Sequence, residues 1–119
     1  MDEFIISWPV WLVATGDSVE RDERGRPVEL KRRPAFRIAK KDDLVAVHVF
    51  TDEDLADRYV RASGDPSLVT VSPDTRELLV RWLRRLAENG VNHVLFDAAP
   101  VGRFLPIERV VEGVERGEV

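Results

Sequence analysis

Asp97 and Arg103, with the hydroxyls of Thr51 and Ser72, are the side chains in this chain whose types and placing best suit chemistry. Asp97 closes an apolar run instead of opening a helix, so helix capping does not account for it. An acid and a guanidinium close in sequence, with two hydroxyls, could bind and orient a small polar ligand at the carboxyl ends of parallel strands, where such sites gather. Asp52 and Asp74 fall near the same edge, and three carboxylates there could in principle hold a hard cation such as magnesium. Both, however, stand in first helical turns, where the helix dipole already favours acids. No metal site is therefore expected. His48 lies inside an apolar run and is expected to be a core residue with a local hydrogen bond. His93 follows a helix end on the edge opposite Asp97, so the two histidines form no metal or catalytic pair. Gly16, Gly25, Gly64 and Gly90 are scattered turn glycines that make no phosphate loop or dinucleotide fingerprint, and no Gly-x-Ser-x-Gly elbow is present. With no cysteine, thiolate chemistry is excluded. The chain thus offers no recognisable catalytic set and implies no cofactor.

The elements that must place these residues read outward from Leu44-Val45-Ala46-Val47-His48-Val49-Phe50, a β-branched run of the kind buried on both sheet faces. Thr51, followed by Asp52-Glu53-Asp54, is the expected cap of a helix burying Leu55, Ala56, Tyr59 and Val60. Leu68 to Val71 is a second strand. Ser72 is the expected cap of the next helix, with Pro73 at its first position. In that helix Leu78, Leu79, Trp82, Leu83, Leu86 and Ala87 recur as one apolar stripe, ended by Asn89-Gly90. Val91 to Phe96 is a third strand. After the irregular Ala98 to Arg103, a last helix from about Pro106 to Glu115 buries Ile107, Val110, Val111 and Val114. Residues 44–97 therefore read strand, helix, strand, helix, strand, which predicts right-handed crossovers and a parallel centre. The expected fold is a single α/β domain over residues 1–119, with α+β the alternative. Its sheet is mixed, with antiparallel N-terminal strands and helices on the faces.

Phe4 to Ala14 is strand-like, although Pro9 removes a ladder donor and implies an edge, a bulge or a break. Trp8 and Trp11, three apart, fall on opposite faces of a regular strand. They pack in the core or present an aromatic surface to a partner, since Trp is enriched where interfaces bind most strongly. Residues 16–34 read as a charged hairpin, with Asp22-Glu23-Arg24-Gly25 at its tip, or as a mobile arm. Val28 with Leu30, and Phe36 with Ile38, alternate with polar neighbours as short strands do. Lys31, Arg32 and Arg33, with Arg37, Lys40 and Lys41, are the basic concentration. Residues 17–41 hold nine Lys/Arg against five Asp/Glu, whereas residues 42–119 hold nine against fifteen. That balance suits a solvated strand face or an acidic partner. Nucleic acid is a weaker reading, because the rest of the chain is acidic and carries no recognition motif.

The 119 residues suffice for one core and not two. The start lacks the basic flank of a signal peptide, and its apolar run is too short to span a bilayer, so a cytoplasmic protein with no membrane is expected.

Val49-Phe50-Thr51-Asp52-Glu53-Asp54-Leu55-Ala56, taken with Leu79 to Leu86 and with Gly90-Val91 to Asp97, resembles the N-terminal domain of the SseB-type family, named for enhanced serine sensitivity. The resemblance spans roughly residues 36–111. It differs at Asp97-Ala98-Ala99-Pro100, where the family often has Asn-Pro-Gly. It implies a small α/β domain without enzymatic activity. The expected function is a protein-interaction or regulatory module, with self-association as one form of partnership. Trp8, Trp11, Lys31, Arg32 and Arg33 are its candidate contacts. The alternative is a ligand-binding or enzymatic site formed by Asp97, Arg103, Thr51 and Ser72.

Overall fold

The structure is a computed structural model and describes residues 8–30, 36–97 and 103–116. The apolar run at its centre is strand β5, Leu44–Phe50, with Ala46 to Phe50 all buried. β5 pairs in parallel with β7 (His93–Phe96). On its other side it pairs antiparallel with β1 (Trp11–Thr15) near Val49 and Phe50, and with β4 (Ile38–Lys41) from Leu44 to Val47. β6 (Leu68–Val71) adds antiparallel to β1, and β8 (Arg103–Pro106) adds antiparallel to β7, giving the order β6-β1-β5-β7-β8.

The domain is α/β with a mixed sheet, and β5, β6 and β7 run in one direction as the strand-helix repeat predicts. β1 is nevertheless inserted between β6 and β5, so β5 with β7 is the parallel pair at the centre. Flanked on both sides, β1 has Leu12, Val13 and Ala14 inaccessible to solvent. Pro9 acts as a break: β1 begins after it, so its missing N–H falls outside the ladder. β8 lies where an irregular segment running into a helix was expected. Four residues ending in proline give too little alternation to announce a strand.

Helix α1 (Glu53–Ser63) covers one face of the sheet, packing Ala56 with Leu55, Tyr59 and Val60 against Val13, Phe50 and Leu68. α2 (Arg76–Glu88) and α3 (Ile107–Glu115) cover the other face. There Leu78, Leu79, Trp82, Leu83 and Leu86, with Ile107, Val110, Val111 and Val114, form one core with Leu12, Val47, Val49, Val94 and Leu105. The step from β5 to β6 and the step from β6 to β7 move in opposite directions across the sheet. Right-handed connections then place α1 and α2 on opposite faces.

Neither helix starts on the hydroxyl expected. Asp52 caps α1 by accepting the Asp54 N–H at 2.8 Å, and Thr75 caps α2 by accepting the Leu78 N–H at 3.1 Å. Thr51 and Ser72 are drawn away by longer-range partners. At the other end of α2, Val91 N–H returns to Leu86 O at 3.1 Å around Gly90, whose φ is +94°. An L side chain is strained there although nothing crowds a Cβ. Gly90→Ala is expected to cost about 1–2 kcal/mol in urea unfolding.

β2 (Val19–Arg21) and β3 (Pro27–Leu30) form a separate two-stranded hairpin. Its tip is held by Asp22, whose Oδ1 accepts the N–H groups of Arg24 and Arg26 at 2.9 Å each. Those bonds, that from the Arg26 N–H foremost, hold the Asp22 carboxyl below the usual carboxylate range. The hairpin lies on α2. Val19 and Leu30 enter the core, Trp82 Nε1–H donates to Val28 O at 2.8 Å, and Arg81 bridges Glu29.

Candidate functional site

The carboxyl edge of the sheet gathers the residues singled out for chemistry. Thr51 follows β5, Ser72 follows β6, Asp97 follows β7, and the backbone of Arg103 pairs opposite Phe96. Thr51 and Asp97 are in direct contact. The parallel register sets Val49 beside Phe96, and Asp97 N–H then donates to Val49 O at 3.0 Å. Asp97 turns into the left-handed region (φ +47°), a conformation that Asp tolerates better than most residues. Its Oδ1 accepts the Thr51 N–H at 2.9 Å, and its Oδ2 accepts the Thr51 hydroxyl at 2.6 Å. Both carboxylate oxygens are thus engaged by one residue, and the pair straps two parallel strand ends together. Ser72 is separated from Thr51 by β1 and donates instead to Val10 O at 2.7 Å. The Arg103 side chain lies outside the described residues, as do Lys31, Arg32 and Arg33.

His48 is buried beneath α1, its ring 4.8 Å from Tyr59 and stacked 6.1 Å from Phe50. Where a local side-chain hydrogen bond was expected, Nδ1 is buried without a partner among the described residues, while the backbone His48 N–H donates to Arg37 O at 3.1 Å. The rings of Phe50 and Tyr59 pack against the imidazole and supply contact surface. Burial first, and the Arg37 charge second, push the imidazole pKa below its ordinary value. His93 lies on the same sheet face, because Ala46 pairs with His93 and His48 with Leu95. Its Nδ1 sits 2.7 Å from Asn92 Oδ1, an atom that also accepts the Val45 N–H at 2.9 Å. Among the described residues no three His, Asp or Glu side chains converge as a metal site would need.

The neutral histidine has a measurable consequence. Above the unfolded pKa of about 6.5 neither state is protonated, and stability is insensitive to His48. As pH falls through that value the unfolded chain takes up a proton that the folded chain resists, so stability declines until the lower folded pKa is reached. His48→Phe keeps the ring contacts and removes the titration. It is expected to flatten the stability profile between about pH 7 and 5 in urea melts, and an unchanged slope would contradict this account.

Away from the strand ends, α2 and α3 leave a groove of about 520 Å³ between them. Val80 and Val114, both buried, form its floor, and Arg76, Glu77, Arg81, Arg84 and Glu115 form its walls. Arg84 pairs with Glu115 at 3.0 Å, and both side chains are more than half exposed. Pairs of this kind contribute about 1 kcal/mol or less. Arg76 continues the surface to Trp8, its guanidinium 5.2 Å from the indole centroid. The two N-terminal tryptophans occupy opposite faces, although Trp8 precedes β1: Trp8 packs partly buried on the α2–α3 core, and Trp11 partly buried in the α1 cluster. The arginines of this groove were not among the residues singled out from sequence. Their signal was present, since α2 carries Arg76, Arg81, Arg84 and Arg85, but a polar helix face becomes a groove only when α3 packs beside it.

No protein-family model matches the chain, and comparison with curated proteins finds no relative. Among the described residues no helix is long and apolar enough to cross a membrane.

Proposed function

We propose that the protein is a cytoplasmic protein-interaction or regulatory module without catalysis, and that it meets its partner through Trp8, Arg76 and the α2–α3 groove. The observation that carries this reading is the joining of an apolar-floored groove to a partly exposed tryptophan through a stacked arginine. Trp and Arg are the residues most enriched where interfaces bind most strongly, because each combines a large contact surface with hydrogen-bond donors. The resemblance of the sequence over roughly residues 36–111 to the SseB-type family is in keeping with the same non-enzymatic class. The alternative ligand site around Thr51, Ser72, Asp97 and Arg103 is less well supported, because both Asp97 oxygens are already engaged by Thr51.

Affinity capture with the full chain tests the proposal, with Trp8→Ala and Arg76→Glu compared with Arg58→Glu on the exposed side of α1. The partner captured by the wild type is expected to survive the α1 change and to fall by about tenfold or more with either groove change, a loss of about 1.4 kcal/mol. Capture indifferent to Trp8 and Arg76 would overturn the assignment of the surface.

A further inference from the structure

Resting on that reading, we infer that the segment received by the α2–α3 groove is an acidic amphipathic helix. From α2 the groove takes Arg76, Glu77, Val80, Arg81 and Arg84, positions three and four apart that share one helix face. From Arg76 to Arg84 that face runs about 12 Å, roughly two helical turns. A groove between two packed helices is the seat in which a third helix is held by apolar side chains at i, i+3, i+4 and i+7. Its floor suits that use. Val80 and Val114 are short, β-branched and almost wholly buried at 6% and 4% exposure, so the leucine face of an incoming helix meets them together with the apolar stems of the wall arginines.

The walls decide the charge of that helix. The chain as a whole carries −4, yet α2 holds four arginines against Glu77 and Glu88. Three of those arginines, Arg76, Arg81 and Arg84, line the groove. Arg84 meets Glu115 through one terminal nitrogen, and Arg81 meets Glu29 likewise, while a guanidinium has five N–H donors. A partner carboxylate can therefore bind either arginine with the existing pairs intact. Glu77 and Glu115 stand in the same walls and repel a continuous polyanion such as a nucleic-acid backbone. A helix can set its acids beside the arginines and leave the glutamates facing its neutral positions. The groove is also partly open to solvent, whereas small-molecule sites enclose most of their ligand.

The test uses labelled synthetic amphipathic helices with one leucine face and either glutamate or lysine flanks, titrated with the full chain and followed by fluorescence anisotropy at about 0.1 M salt. The glutamate-flanked peptide is expected to bind about tenfold or more tightly than the lysine-flanked one, and a control with serines replacing the leucines is expected not to bind. The double variant Arg81→Glu, Arg84→Glu, first shown to melt cooperatively near the wild type, is expected to invert the preference. Equal affinity for both flanks, or a preference that the double variant leaves unchanged, would overturn the inference. Capture of the cellular partner by the same variants separates the two levels. If capture depends on the groove while the peptides show no charge preference, the acidic helix is wrong and the interaction surface stands. If capture also ignores the groove, both fall.

Discussion

Trp82→Ala is expected to be among the most damaging single substitutions in the core, lowering stability by about 3–5 kcal/mol, the range for removing a large aromatic ring from a packed interior. Trp82 is 1% exposed and meets Phe36 edge to face at 6.2 Å between centroids. Its indole N–H is also the bond that ties α2 to the β3 carbonyl of Val28. The loss should therefore be structural as well as energetic: amides across residues 19–30 should exchange faster with solvent, because the hairpin loses its anchor together with its packing. Trp82→Phe separates the two effects. It keeps much of the ring, strands the Val28 carbonyl, and is expected to cost about 1–3 kcal/mol. Urea unfolding gives the energies and hydrogen exchange gives the location. A loss below about 1 kcal/mol for the alanine variant, or unchanged hairpin protection, would contradict the packing described.

Asp97→Ala is expected to cost about 2–3 kcal/mol, a second large effect for a residue at the sheet edge. The substitution leaves the Thr51 N–H and hydroxyl without their acceptor in a partly buried position. It also places alanine at a positive φ that Asp tolerates better. Asp97→Asn retains an oxygen and that tolerance, and should lose less. Combining Asp97→Ala with Thr51→Val in a double-mutant cycle should give a coupling of about 0.5–3 kcal/mol, because each change removes part of the same strap. If Asp97 were instead held ready for a ligand, its removal would leave stability nearly unchanged. The cycle thus distinguishes the strap from the alternative site.

The readable parts of this fold are those whose pattern is local. The Leu44 to Phe50 run and the leucine stripe of α2 repeat over enough residues for their period to be plain, as do the valines of α3. Where the chain pairs with a distant segment, the pattern is silent. Nothing in Trp11–Thr15 marks it for insertion between β6 and β5, and Arg103–Pro106 is too short to declare itself a strand. Thr51 and Ser72 illustrate the same limit. Each sits where a cap belongs, and each is taken by a tertiary partner, leaving Asp52 and Thr75 to cap the helices. Asp97 stood out because no helix cap explained it, and its partner lies 46 residues away in sequence. The groove was the hardest feature to see. Arginines on a helix read as a solvated face until the neighbouring helix is in place.

On the function proposed above, the α2–α3 groove is where the protein meets another protein. The most direct measurement places a photo-crosslinking residue at Arg81 in the full chain, and separately at Arg58 on α1, and identifies adducts formed in the source cells. A discrete adduct is expected from position 81, lost when Arg76→Glu is added, and none from position 58. An adduct from position 58 alone, or none from either, would contradict it.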